Sequence, residues 1–209
     1  MTHWRYFAAI MILIILAGCS TTTGRTPIPN PTTRPLADLL TDIRAPDPIT
    51  QAIAVSDLSH YGPAAAHAVP DLIAMIDDPL NPYGVHDLDA ESRVSVMETL
   101  GSIGPAAAAA APTLAMIAQE PKEHTMVRSA AIRALGKLHD HSVVPVLVPL
   151  LYGSDPTFTR TVGRTIETLA QRDFPEDDGV SWLTENGQSV IAVAVGTWWD
   201  SEGQYQEWK

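Results

Sequence analysis

The chain has 209 residues, a formal net charge of −11, 6% aromatic residues and one cysteine. So acidic a surface repels phosphate backbones and anionic headgroups, which excludes nucleic acid as a partner and excludes membrane attachment through a basic patch. The shortage of aromatics and the abundance of Ala suit a stack of closely packed helices better than one large core, and the length allows either.

Residues 1–18 begin with Arg5 in a short polar stretch and continue as the apolar run Phe7 to Ala17. That run cannot span a ~30 Å hydrocarbon core, which takes roughly 20 helical residues. It reads as the apolar region of a signal peptide. The ending Leu16-Ala17-Gly18-Cys19 resembles a bacterial lipobox. The resemblance implies cleavage before Cys19, a diacylglyceryl thioether on Cys19 and an acylated (palmitate-type) new N-terminus. The alternative is an uncleaved anchor, or a plain secretory peptide that ends by chance in Ala-Gly-Cys. Cys19 is the sole cysteine, so the processed chain would hold neither a disulfide nor a free thiol, which suits an oxidising compartment. Ser20 follows it where inner-membrane lipoproteins often carry Asp. The resemblance therefore implies the bacterial cell envelope, and the outer membrane in a Gram-negative organism. Residues 19–35, the lipidated Cys19 and a Thr/Pro-rich stretch with Ile28 as its one large hydrophobe, bury too little to fold and form an extended tether.

Helical spacing begins at Leu36 and is expected to run through residues 36–172. The segment Asp47 to His60, with Pro48 in its first turn, is read as a helix whose buried face holds Ile49, Ile53 and Leu58. Further copies follow at Asp89 to Ser102 and at Thr125 to Leu138, with Arg93 seven residues before Leu100 and Arg128 seven before Leu135. The phrase Leu58 to Pro70 recurs as Leu100 to Pro112, and Gly62 and Gly104 lie 104 − 62 = 42 residues apart, a period that marks stacked helix pairs. Gly62 and Gly104 can take the left-handed conformation that closes a helix, and Pro63 and Pro105 cannot continue it. A short helical turn through the Ala residues leads to a second helix near Pro70 and Pro112, expected to bury Leu72, Ile73 and Ile76, and Leu114, Met116 and Ile117. In the third pair His139-Asp140 replaces Gly-Pro and Pro145 to Leu151 forms the second helix. Asp155-Pro156 opens a fourth first helix that runs to about Arg172.

Met126 to Leu138, with Tyr61 to Ile76 and Ile103 to Ile117, resembles the HEAT repeat, in particular the bacterial subgroup related to phycobilisome lyase repeats. The pattern is Asp-x-x-Val-Arg-x-x-Ala-x-x-Ala-Leu-Gly, then Pro-x-Ala, then Val-Pro-x-Leu. The resemblance implies an all-α fold, a short α-solenoid of HEAT-like helix pairs, and a protein-binding surface, with no particular activity. Residues 173–209 break the pattern with Phe174, Trp182, the apolar run Val190 to Val195, Trp198, Trp199 and Trp208. They are expected to cap the array, since an exposed solenoid end needs sealing. Trp208 is the one expected to be most exposed.

Chemistry finds little support. No nucleophile elbow, no His-Glu-x-x-His and no free thiol after processing point to an enzyme. His139-Asp140-His141 lacks a third zinc ligand in fixed relation to it. The link between the first two pairs concentrates Asp77, Asp78, Asp87, Asp89 and Glu91 beside His86, without an EF-hand spacing, and Asp89 suits a helix cap. No metal and no cofactor is expected. The functional expectation is a membrane-anchored HEAT-repeat scaffold that binds an envelope protein of unknown identity through the groove of second helices, through Asp77, Asp78, His86, Asp87 and Asp89, or through Trp198, Trp199 and Trp208. The alternative is a cell-wall glycan-binding lipoprotein that uses those C-terminal aromatics. The oligomeric state is left open.

Overall fold

A computed structural model describes residues 34–77, 90–174, 184 and 188–208, without the side chain of Asp77. The segment expected to be an export signal, Cys19, the expected tether up to residue 33, the segment holding Asp78, His86, Asp87 and Asp89, and Trp182 lie outside the described residues. Residues from Arg34 onward form a single compact unit.

That unit is an α-solenoid of helix pairs. Helix α1 (Leu36–Asp42) leads into the first pair, α2 (Pro48–Leu58) and α3 (Val69–Asp77), joined by a 3-10 helix over Ser59–Ala68. The second pair is α4 (Ala90–Ile103) and α5 (Ala111–Gln119), joined by a 3-10 helix over Gly104–Ala110. The third is α6 (Thr125–Leu138) and α7 (Val144–Leu147), the latter extended by a 3-10 helix over Val148–Tyr152. Helix α8 (Pro156–Ala170) starts a fourth pair, and α9 (Val190–Ser201) packs on it. The first helices α2, α4, α6 and α8 contact one another in succession. By composition the stretch Ala90–Gln119 is apolar enough to cross a membrane, but it comprises α4, α5 and the 3-10 helix between them and lies mostly inside the array.

Local chemistry sets the helix starts. Asp47 caps α2 by accepting from the Thr50 amide at 2.9 Å and its hydroxyl at 2.6 Å, with Pro48 in the first turn where its missing N–H costs nothing. Asp155 does the same for α8, accepting from the amides of Thr157 at 2.9 Å and Phe158 at 3.2 Å. Ser189 caps α9, accepting from the Ala192 amide at 3.5 Å.

The corners follow the sequence reading. Gly62 and Gly104 have φ of +52° and +71°, the left-handed region that a Cβ disfavours. In the third corner His139 takes that conformation itself, at φ +55°, and ends α6. Asp140 then restarts the chain by accepting from the amide of Ser142 at 3.0 Å and from its hydroxyl at 2.6 Å.

Between first helices, close approach depends on small residues inside the helices. A Cβ on Gly101 would stand 3.3 Å from the Ala134 Cα, and one on Gly136 would stand 3.2 Å from the Thr165 Cγ2. The Ala run does a related task in the corners, where Ala65, Ala68, Ala107 and Ala110 are fully buried. Threonine hydroxyls cross the same seams: Thr99 donates to the Val55 carbonyl at 3.0 Å and Thr165 to the Ile132 carbonyl at 3.4 Å.

Two burial expectations are corrected. Ile49 and Ile53 are 69% and 49% exposed, because the buried stripe of α2 is Gln51, Ala54, Val55 and Leu58. That stripe has helical i, i+3, i+4, i+7 spacing but begins at a polar residue, so hydrophobicity alone pointed to the wrong face. Met116 is 58% exposed, and Leu114 and Ile117 bury as expected. Leu72 and Ile76 are buried, while Ile73 is half-buried against the core.

Candidate functional site

Each helix pair offers two faces, and they differ in chemistry. On the side of the second helices, a shallow cleft of about 440 Å³ between α5 and α7 is lined by Pro112, Ala115, Met116, Gln119, Glu120 and Val146. Met116 is its exposed apolar centre. A flexible thioether side chain in this position adapts to varied apolar surfaces.

On the side of the first helices, a groove of about 530 Å³ runs between α6 and α8. Arg133 and Lys137 line it from α6, Arg160 and Arg164 from α8, and His139 stands at its end. Within each helix the two cations are four residues apart and therefore neighbours on one face. Among the described residues no carboxylate lines the groove itself, although Glu98 and Glu167 pair with Arg133 and Arg164 beside it. In a chain of net charge −11, four of the thirteen Lys and Arg residues converge there. The sequence reading missed this site. Its only signal was the i, i+4 spacing in two separate helices, and nothing local says that those faces meet.

The two arginines that set the repeat register have structural work. Arg93 pairs with Glu123, and Arg128 donates through Nε to the Ala118 carbonyl at 3.0 Å near the end of α5, with its guanidinium carbon 4.3 Å from the Phe158 ring centre. A cation against the open carbonyls of a helix C-terminus is electrostatically favoured. These residues brace neighbouring pairs.

The His139-Asp140-His141 turn is also occupied with structure. His139 supplies the left-handed corner, Asp140 caps the next turn, and the His141 Nδ1 hydrogen-bonds to the Leu169 carbonyl. Three neighbouring residues thus serve three different tasks, and they do not converge on a point.

The C-terminal tryptophans form one packed cluster. Trp198 is 5% exposed, with its ring centre 5.3 Å from that of Phe174, 6.0 Å from Trp208 and 6.3 Å from Trp199, all edge-to-face. Trp199 and Trp208 stack at 6.1 Å, both half-buried, and the Trp208 Nε1 donates to the Gly203 carbonyl at 3.1 Å. Trp198 lies in the packed end, with its ring spent on internal contacts. Trp208 is held in the cluster by its stack and its hydrogen bond and is half-buried, like Trp199. Of the acidic link, Asp77 ends α3, and Asp78, His86, Asp87 and Asp89 lie outside the described residues.

A comparison with curated proteins finds no match. Residues 84–170 match the family model for HEAT repeats, and together with the array of helix pairs this match supports a HEAT-repeat protein.

Proposed function

We propose that the chain is a non-catalytic, lipid-anchored scaffold that holds a protein partner at the bacterial cell envelope. HEAT repeats commonly serve as protein-interaction scaffolds. The observation that carries the reading is Met116, an unbranched apolar side chain left 58% exposed in the cleft between second helices. An apolar centre with a polar rim of Gln119 and Glu120 is the composition of a protein contact. Attachment rests on the lipobox-like Leu16 to Cys19 and the Thr/Pro-rich tether, and the outer membrane is proposed because Ser20 follows Cys19.

Two experiments test the parts separately. Cell fractionation should move Cys19→Ser from the membrane pellet to the soluble fraction; a variant that stays in the pellet removes the lipid anchor. A photo-crosslinking residue at Met116 should trap a defined partner in intact cells, and one at exposed Ser56 should not. Equal trapping at both positions would count against the cleft. The acidic link is tested by Asp87→Lys with Asp89→Lys, which should weaken capture of the same partner if that link touches it.

A further inference from the structure

We propose that the groove between α6 and α8 is a docking site for an acidic, amphipathic peptide segment of a protein partner. The inference rests on the scaffold reading, but concerns a different face from the Met116 cleft and needs no lipid anchor.

Four cations stand as two pairs on either side of the groove, Arg133 with Lys137 and Arg160 with Arg164. Helix-dipole stabilisation accounts for Lys137 in the last turn of α6. It does not account for Arg133, Arg160 and Arg164, which sit away from the C-terminal turns. Arg133 reaches Glu98 at 3.5 Å in a solvent-exposed pair, so a ligand carboxylate can share that cation, while Arg164 reaches Glu167 at 3.0 Å in a half-buried one. Lys137 makes no ion pair or hydrogen bond among the described residues.

The floor narrows the ligand class. Thr161 donates to the Thr157 carbonyl at 3.0 Å, Thr168 to the Arg164 carbonyl at 3.0 Å, and Thr165 to the Ile132 carbonyl at 3.4 Å. With their protons turned toward these carbonyls, Thr161, Thr165 and Thr168 offer no donor to an anion. What the floor presents is threonine methyl groups, the Gly136 backbone and the aliphatic stems of the cations. Carboxylates therefore fit the flanks and small apolar side chains fit the middle. Guanidinium groups suit carboxylates because the planar fork can bind both oxygens.

Charge complementarity favours a peptide over the other polyanions. A nucleic acid or an anionic bilayer would extend beyond the four cations and meet the field of a chain with net charge −11. A short acidic segment confines its charge to the groove.

The test uses the full mature chain in detergent micelles and fluorescence anisotropy of a labelled peptide of alternating Glu and Leu residues. Wild type should bind this peptide and not its Lys-Leu counterpart. Lys137→Gln with Arg160→Gln should weaken binding by about tenfold, and raised salt should weaken the wild-type interaction in the same sense. Lys122→Gln with Arg172→Gln removes the same charge elsewhere and should change affinity by less than about twofold. Lys137→Arg, which keeps the charge, should bind like wild type and guards against misfolding as the cause. Equal loss in the two double variants would reduce the effect to general electrostatics and overturn the site. So would an absence of peptide binding by wild type, or binding only to vesicles containing anionic lipid. Because no membrane or cellular partner is involved, failure here leaves the Cys19 and Met116 results standing on their own.

Discussion

The two ends of the array meet the same requirement by different means. A stacked repeat leaves one apolar side uncovered at each end. At the C-terminal end a few large rings do the sealing: Trp198 is buried among Phe174, Trp199 and Trp208, and Arg172 stands 5.8 Å from its ring centre while pairing with Glu202 at 3.0 Å. At the N-terminal end α1 contributes Leu39 and Ile43, both essentially buried, and Gln51 of α2 donates to the Ile43 carbonyl at 3.3 Å. There α2 still leaves Ile49 and Ile53 in solvent. The aromatic cluster thus closes its end with large rings, and it concentrates the stability of that end in one of them, Trp198.

That concentration predicts the largest effect. Trp198→Ala should cost about 3–5 kcal/mol in chemical denaturation, by loss of transfer energy and by the cavity left among three aromatic rings. A loss under about 1 kcal/mol would mean that the cluster is not the seal. Leu39→Ala should cost about 2–4 kcal/mol, toward the lower part of its range because a short terminal helix can shift to fill space. If it proves costlier than Trp198→Ala, the ranking of the two ends is reversed.

Gly203→Ala probes the tightness of the aromatic end. Its Cβ would stand 2.9 Å from the Trp199 ring and 3.0 Å from the Trp198 ring, so overpacking should cost about 1–3 kcal/mol. Near-ultraviolet circular dichroism should register the displaced rings. At the other end, Ile49→Thr with Ile53→Thr should change stability by less than about 0.5 kcal/mol, because both side chains are already exposed. A larger loss would show that these residues pack against something in the folded chain.

The smallest effect concerns pH. The hydroxyl and amide of Thr50 hold the Asp47 carboxyl below its usual 3.8. A depressed folded pKa means that the cap contributes fully above the unfolded value and is lost as pH falls through the folded one. Exchange of the Thr50 amide should therefore stay protected through pH 3.8 and rise only in more acidic solution. Asp47→Asn keeps an acceptor and should remove that pH dependence.

Much of this fold was legible in the chain because its punctuation is local. The Asp-Pro starts at Asp47 and Asp155, and the left-handed corners at Gly62 and Gly104, depend on residues within a turn of one another. The His139 corner was placed correctly too, as the backbone there demands a positive φ and histidine tolerates it. What was not legible was which helix face turns inward. Ile49, Ile53 and Met116 are strongly apolar, yet they point out, while Gln51 is 1% exposed.

The sequence by itself determined the repeat, its period, its corners and its caps, because each rests on short-range hydrogen bonding and backbone sterics. Tertiary structure alone decided the burial stripes, the meeting of the Arg133–Lys137 and Arg160–Arg164 faces in one groove, and the joining of Phe174, Trp198 and Trp208 in one cluster. The physical reason is that a helix in a stacked array is covered from several sides, and its inward face is set by neighbours distant in the chain rather than by its own periodicity.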